Sequence, residues 1–172
     1  MRTTPSSSRP RVLIIGAGFG GLEAAKALVG QPVEVTLVDK TNHHLFQPLL
    51  YQVATAGLSA PAIAAPIRNI LRKQANLTTL LGEVLHIDAA QQLVQLRDGS
   101  TLAYDHLIVA AGATHSYFVL DVWAPPAPGL KTLEDPFEIR RRVVLAFPSA
   151  AKESDPLRRS AWMTFLVIGA GP

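Results

Sequence analysis

Apolar residues fall in short runs closed by glycine. Arg11 to Ile15 is one such run, and its unbroken hydrophobicity suits a strand buried on both faces of a parallel sheet. From Phe19 to Val29, alanines and leucines recur at helical spacing until Gly30 and Pro32 end the pattern. Val33 to Val38 is β-branched and leads to Asp39, which completes a strand, glycine turn, helix and strand: the βαβ unit. Ser59 can then cap a helix with Pro61 in its first turn, which Pro66 kinks or restarts through Arg72. Ile63, Ile67, Ile70 and Leu71 would share its buried face.

From Thr78 the period changes to that of strands, through "TTLLGEVLHID" and "QLVQLRDGSTLAYDHLIVAAG". Asp98 and Gly99 signal a hairpin turn between Leu93 to Leu96 and Thr101 to Tyr104. Leu107 to Ala111 is apolar throughout and reads as another central strand of the first sheet. "WAPPAPG" marks a proline-rich linker, Leu133 to Phe147 a helix, and "ESDPLRRS" a polar loop. Trp162 to Ile168 reads as a new buried strand that runs into Gly169 and Gly171. These patterns divide the chain into a polar tail (1–10), a first domain (11–115), a linker and helix (116–160), and the strand and turn of a second unit (161–172).

Composition narrows the function. With 48% hydrophobic and 17% charged residues the chain belongs with globular proteins. Its net charge of +3 is scattered, and the tightest basic cluster, Arg140 to Arg142, lacks the interleaved aromatics of a strand-binding groove. Nucleic acid is therefore not an expected partner, and a solvated helix face or contact with anionic lipid explains the cluster better. No cysteine is present, so any redox chemistry must be carried by a bound cofactor. "MRTTPSSSRPR" has no apolar core and is not a signal peptide, which points to the cytoplasm. Leu45 to Ile67 has no charge and is long enough to span a bilayer, but Pro48, Pro61 and Pro66 interrupt it, so it reads as buried loop and helix. The adjacent His43 and His44 would point in different directions, and His86, His106 and His115 lack ligand spacing, so no metal is expected. No GxSxG turn marks a hydrolase.

Gly16, Gly18 and Gly21 form GxGxxG directly after a strand and at the start of a helix. The first glycine permits the tight turn, the second lets a pyrophosphate approach the backbone, and the third lets helix and strand pack closely. Asp39, at the end of the next strand, would accept hydrogen bonds from a ribose and repel a 2′-phosphate, which favours FAD or NAD over NADP. The fingerprint does not decide between the two. A second apolar run with Gly-Ala-Gly, "FLVIGAGP", suggests two dinucleotide sites, the arrangement of a protein that moves hydride from one cofactor to another.

Val38 to Arg68, "VDKTNHHLFQPLLYQVATAGLSAPAIAAPIR", closely resembles the segment after the second strand in type II NADH:quinone oxidoreductases, most specifically in Phe46 to Val53. "YDHLIVAAGATHSYF" and "PGLKTLEDPFEIRRRV" resemble the same family. The resemblance implies an α/β fold: an FAD-binding Rossmann-like domain with a parallel sheet and a β-meander, plus the start of a second Rossmann-like, NAD-binding domain. It implies that Gly16, Ala17, Gly18, Phe19, Gly20 and Gly21 hold the FAD pyrophosphate, with Asp39 at the ribose and Lys40 beside it. Val84 would meet the adenine through its main chain, and Gln47 and Pro48 would lie near the isoalloxazine. Ala110, Ala111 and Gly112 match an Ala-Thr-Gly strand end, with alanine replacing the threonine. Gly169 and Gly171 would open the NADH site.

By the same resemblance, NADH gives a hydride to FAD, and two electrons pass to a membrane quinone. The active-site glutamate and the membrane-binding helices would lie beyond Pro172. The full-length protein would sit on the inner face of the cell membrane, with a homodimer left open, and this chain alone would be an inactive N-terminal piece. The alternatives are a non-catalytic FAD-binding fragment or another two-dinucleotide reductase, such as a ferredoxin-type enzyme. Disulfide reductases are disfavoured by the lack of cysteine.

Overall fold

The computed structural model describes residues 9–117 and 121–169. They form two compact units, one from residues up to Phe46 with Ala64–Thr114, the other from Gln47–Ile63 with residues from His115 onward.

The first unit is built on a parallel sheet. Strands β1 (Arg11–Ile15), β2 (Glu34–Asp39), β5 (Leu77–Leu81) and β9 (His106–Val109) lie in the order β5-β2-β1-β9. Successive side chains of a strand point to opposite faces, so β1, apolar from Val12 to Ile15, feeds two cores. Val12 and Ile14, with Val35 and Leu37 of β2, pack against Leu22 and Ala25 of helix α1 (Phe19–Ala27) and against Ile67 and Leu71. Leu13 and Ile15, with Val38, pack against Val94, Leu96 and Tyr104. The last three belong to or flank an antiparallel meander of β6 (Val84–Asp88), β7 (Leu93–Leu96) and β8 (Thr101–Ala103). Its hairpin turns at Gly99, where φ is +86°, and the Asp98 carboxylate accepts from the Ser100 amide and hydroxyl. Together these form the expected α/β fold with parallel sheet and meander.

Two amides finish α1. Its last turn closes with the Leu28 and Val29 amides donating to the Ala25 and Lys26 carbonyls, and side chains add to these bonds. The buried Gln74 side chain donates to the Ala25 carbonyl at 2.9 Å, and the two protons of the Asn76 side-chain amide are shared among the carbonyls of Leu28, Gln31 and Val33 in the loop that follows. At the opposite side of β1, Arg11 grips Asp105 through its amide, Nε and Nη2, while the Asp105 amide donates back to the Arg11 carbonyl. That exchange sets the register of β9 on β1.

The second unit places helix α2 (Leu50–Ala54), after a 3-10 turn at Gln47–Leu49, against the long helix α4 (Glu134–Lys152). Leu50 and Val53 are fully buried. Arg140 donates from Nη2 to the Val53 carbonyl at the end of α2. Glu138 binds both Arg141 and Arg142, and Arg142 also donates to the carbonyls of Pro125 and Pro126. Arg140 and Arg142 are therefore engaged inside their own unit, as a helix cap and a clasp on the proline linker, while Arg141 lies exposed on the solvated face of α4.

Several expectations are corrected. The helix expected from Ser59 through Arg72 is a 3-10 turn at Ala60–Ala62, a short strand β4 (Ala64–Pro66) paired with β3 (His43–Leu45), and one turn of helix α3 (Ile67–Ile70). Pro66 cannot donate to a helix but is tolerated in an edge strand. Ile63, Ile67 and Leu71 are buried, while Ile70 is exposed, because so short a helix has no face wide enough for all four. The strand after the meander lies at the sheet edge in the described residues, not at its centre, and ends at Val109. Helix α4 does not stop at Phe147; it continues through Pro148, which forfeits one backbone hydrogen bond, and ends at Lys152. "ESDPLRRS" holds helix α5 (Pro156–Trp162): Asp155 caps it by accepting from the Leu157 amide, with Pro156 in its first turn. Trp162 thus ends a helix instead of opening a buried strand. Residues 164–169 pair with no strand among the described residues, and Leu166, Val167 and Ile168 are exposed, since an apolar run forms a strand only against a partner edge. No helix among the described residues is long and apolar enough to cross a membrane.

The Arg11 guanidinium and amide hold Asp105 down at about 2, and Arg141 and Arg142 hold Glu138 at about 2. Both lie below their unfolded values of roughly 4. Their stabilisation is complete above that range and is lost as pH falls through about 4 towards about 2. In thermal melts at low salt, Asp105→Asn should melt below the parent chain at pH 7, and the gap should close across that window. A gap that persists unchanged into acid would refute the ion pair's part in it.

Candidate functional site

The carboxyl ends of β1, β2, β5 and β9 meet along one edge of the parallel sheet. The chain passes from β1 outward to β2 and β5, then returns to β9 on the other side of β1. This reversal is the topological switch point where open α/β sheets bind ligands.

The turn there is shaped by close contacts. Gly16 donates its amide to the Val38 carbonyl at 2.8 Å and adopts φ of +97°, and a Cβ on it would collide with the Ala110 carbonyl. The Ala17 amide donates to Asp39 Oδ2 at 2.6 Å. Because the peptide is trans, the Gly16 carbonyl points the other way, and it lies where a Cβ of Gly21 would be. Only glycine can occupy position 21. Gly18 is the N-cap of α1, with φ of −68° and no side-chain cap, and a Cβ there would meet nothing within 4 Å. The amides of Phe19, Gly20 and Gly21 begin the helix and have no intrahelical acceptor, so this end carries partial positive charge.

Asp39 is the other fixed charge. Its Oδ1 accepts from the Thr41 amide and hydroxyl, at 2.6 and 2.7 Å, and its Oδ2 from Ala17. A carboxylate offers roughly four acceptor positions, so one remains open. Lys40, next in sequence, is exposed and joins Arg97 in holding the Glu83 carboxyl below its usual range, with Arg97 the larger cause.

The other sequence candidates divide between the units. Gly82 donates to the Asp39 carbonyl at 2.8 Å, so Val84, which opens β6, follows the end of β5 at the same sheet edge. Ala110 donates to the Ile15 carbonyl, and its methyl lies 3.6 Å from where a Cβ of Gly21 would be. Ala111 and Gly112 continue outward, exposed, with φ of +73° at the glycine. Gln47 and Pro48 belong to the second unit, where Gln47 donates to the Lys131 carbonyl at 3.3 Å. Gly169, also in that unit, has φ of +80°, and Gly171 lies outside the described residues.

One participant was not among the sequence candidates. His44 places Nδ1 3.0 Å from the Ala17 carbonyl, and its ring meets Phe19 edge-on at 5.0 Å. Phe19 in turn meets Phe46 at 5.5 Å. A pair of adjacent histidines carries no signal for such a contact, which depends on β3 crossing near the turn.

Comparison with known proteins gives consistent similarities. A family model described as pyridine nucleotide-disulphide oxidoreductase matches residues 10–172. The chain is 52% identical over 173 residues to the type II NADH:quinone oxidoreductase Ndh of Mycobacterium tuberculosis, covering 99% of this chain and 37% of that protein. It is 54% identical over 167 residues to NdhA of the same organism, also a type II NADH:quinone oxidoreductase, of which it covers 36%. The chain thus spans a little over a third of the length of these relatives. Its fold matches that of NDH2 from Plasmodium falciparum, solved in complex with NADH, with a TM-score of 0.78 at 22% identity over 88% of this chain and 32% of that one.

The turn yields a stability test. Gly21→Ala should cost about 3 kcal/mol or more in denaturant unfolding, since the methyl must displace backbone. Gly20→Ala, with only an ordinary contact at 3.8 Å, should cost less than about 1 kcal/mol. Equal losses would contradict the contact with Gly16.

Proposed function

We propose that this chain, which belongs to the pyridine nucleotide-disulphide oxidoreductase family, carries the FAD-binding part of a type II NADH:quinone oxidoreductase. The observation that carries the reading is the open space over Gly18, at a helix start with unpaired amides and beside a carboxylate that keeps one acceptor position open at the end of the neighbouring strand. A diphosphate is a ligand of the right charge and shape for such amides, and the missing Cβ lets it approach the backbone. The open acceptor position on Asp39 suits a ribose hydroxyl, and its charge disfavours a 2′-phosphate, so FAD fits where NADP would not.

The remaining roles follow the same reading. The main chain at Val84 meets the adenine, Lys40 stands beside the ribose, and Ala110 to Gly112 flank the cofactor where they back the glycine turn. Gln47 and Pro48 contact the flavin ring, offering polarity without charge. Bound FAD would supply hydride acceptance from NADH and electron delivery to quinone. The chain's own part is to orient that group and exclude water from it. NADH would be held in part by the turn at Gly169 and Gly171, and the whole protein would work at the inner face of the cell membrane, with homodimer formation as part of the same proposal. The 52% identity to a mycobacterial enzyme of that name supports this reading over other two-dinucleotide reductases.

The test separates fold from ligand. Incubated with FAD and then desalted, the chain should retain flavin absorption. Gly18→Ala should weaken retention at least about tenfold while leaving unfolding stability within about 1 kcal/mol, because the methyl enters only the ligand's space. No retention by the parent chain, or unchanged retention by the variant, would overturn the assignment.

A further inference from the structure

The geometry points to His44 as a positioning residue for the glycine turn: Nδ1 donates to the Ala17 carbonyl and fixes the peptide between Ala17 and Gly18. Ala17 is buried, so a carbonyl left without a donor there is costly. The two ends of this residue are held from different strands, its amide by Asp39 of β2 and its carbonyl by His44 of β3. Gly18 follows with no side chain to stiffen the backbone or cap the helix; its carbonyl accepts from the Leu22 amide at 3.0 Å, while its own amide is left to the orientation of the Ala17 peptide. The peptide is trans, so a carbonyl directed at His44 turns the Gly18 amide away from it. Without that contact, the peptide plane between Ala17 and Gly18 would be free to rock, and the Gly18 amide would lose its fixed direction even with the Gly18 carbonyl held by α1.

The histidine is itself held. Pairing of His44 with Ala65 sets the backbone of β3, and the Thr41 hydroxyl lies between Asp39 Oδ1 at 2.7 Å and the His43 carbonyl at 3.1 Å, its one proton shared between them. The T-shaped contact with Phe19, at an interplanar angle of 85°, restrains the ring plane. His43, by contrast, faces its neighbour Asn42 at 3.4 Å. Donation to a carbonyl requires the proton on Nδ1, so the contact also assigns the tautomer, leaving Nε2 as an acceptor in the neutral ring. A turn fixed before binding loses less freedom when a ligand arrives, and on the FAD reading above His44 thereby tightens cofactor retention without touching it.

The test uses the 172-residue chain with 15N-labelled histidine, without cofactor. Two-bond proton–nitrogen correlation should show the neutral His44 ring protonated on Nδ1, and a ring protonated on Nε2 would overturn the proposal. His44→Leu, which keeps apolar bulk against Phe19, should speed amide exchange at Gly18 and weaken FAD retention about tenfold. His44→Asn, with an amide donor near the Nδ1 position, should bring both back to within about threefold of the parent. Equal behaviour of the two variants would count against the contact even with the folded state intact. If the parent chain retains no FAD, the cofactor reading fails, while the tautomer and the exchange at Gly18 still decide the role of His44.

Discussion

The Gly16 carbonyl lies against the α-carbon of Gly21, and the sheet edge is organised around that approach. It lets β1 turn within three residues into a helix whose first amides face outward at the switch point. A side chain at Gly21 would force the helix off the turn, and α1 could no longer place Leu22 and Ala25 on Val12, Ile14, Val35 and Leu37, while one at Gly16 would instead collide with the backbone of Ala110 beyond β9. The local backbone contact and the core on that face therefore stand together. Ala110 closes the third side with the smallest side chain that still has a Cβ.

Much of this was legible in the chain because the signals were local. Apolar runs ended by glycine located β1, β-branched residues leading to an acid located β2, and Asp-Gly located the hairpin. The misses share a physical cause. Pro66 looked like a helix device because its partner strand, His43–Leu45, is remote in sequence and too short to show a period. Asp155-Pro156 is a helix start that polarity disguised as a loop. The edge position of β9 could not be read from its own residues, since an apolar run records burial and not its neighbours. His44 was invisible for the same reason: its contact exists only once two strands have been brought to the same edge.

The basic cluster shows how little a charge run says by itself. Arg140, Arg141 and Arg142 are adjacent on one helix, yet one caps α2, one pairs with Glu138, and one joins Glu138 to the proline linker. Adjacent residues on a helix point about 100° apart, so a run of three reaches three surroundings. What Arg140 holds is the end of the segment from Phe46 to Val53, whose sequence is the most distinctive in the chain.

Asp39 binds Ala17 through one oxygen and Thr41 through the other, so its carboxylate is a structural member of the turn before any ligand arrives. A residue with two duties constrains how the site can change over evolution or by engineering. Exchanging the acid for a small or basic side chain is the obvious route to a ligand bearing an extra phosphate, but here the exchange would also unfasten the loop. A switch in cofactor preference would need a second substitution that supplies Ala17 with a new acceptor, and neither change alone would be neutral.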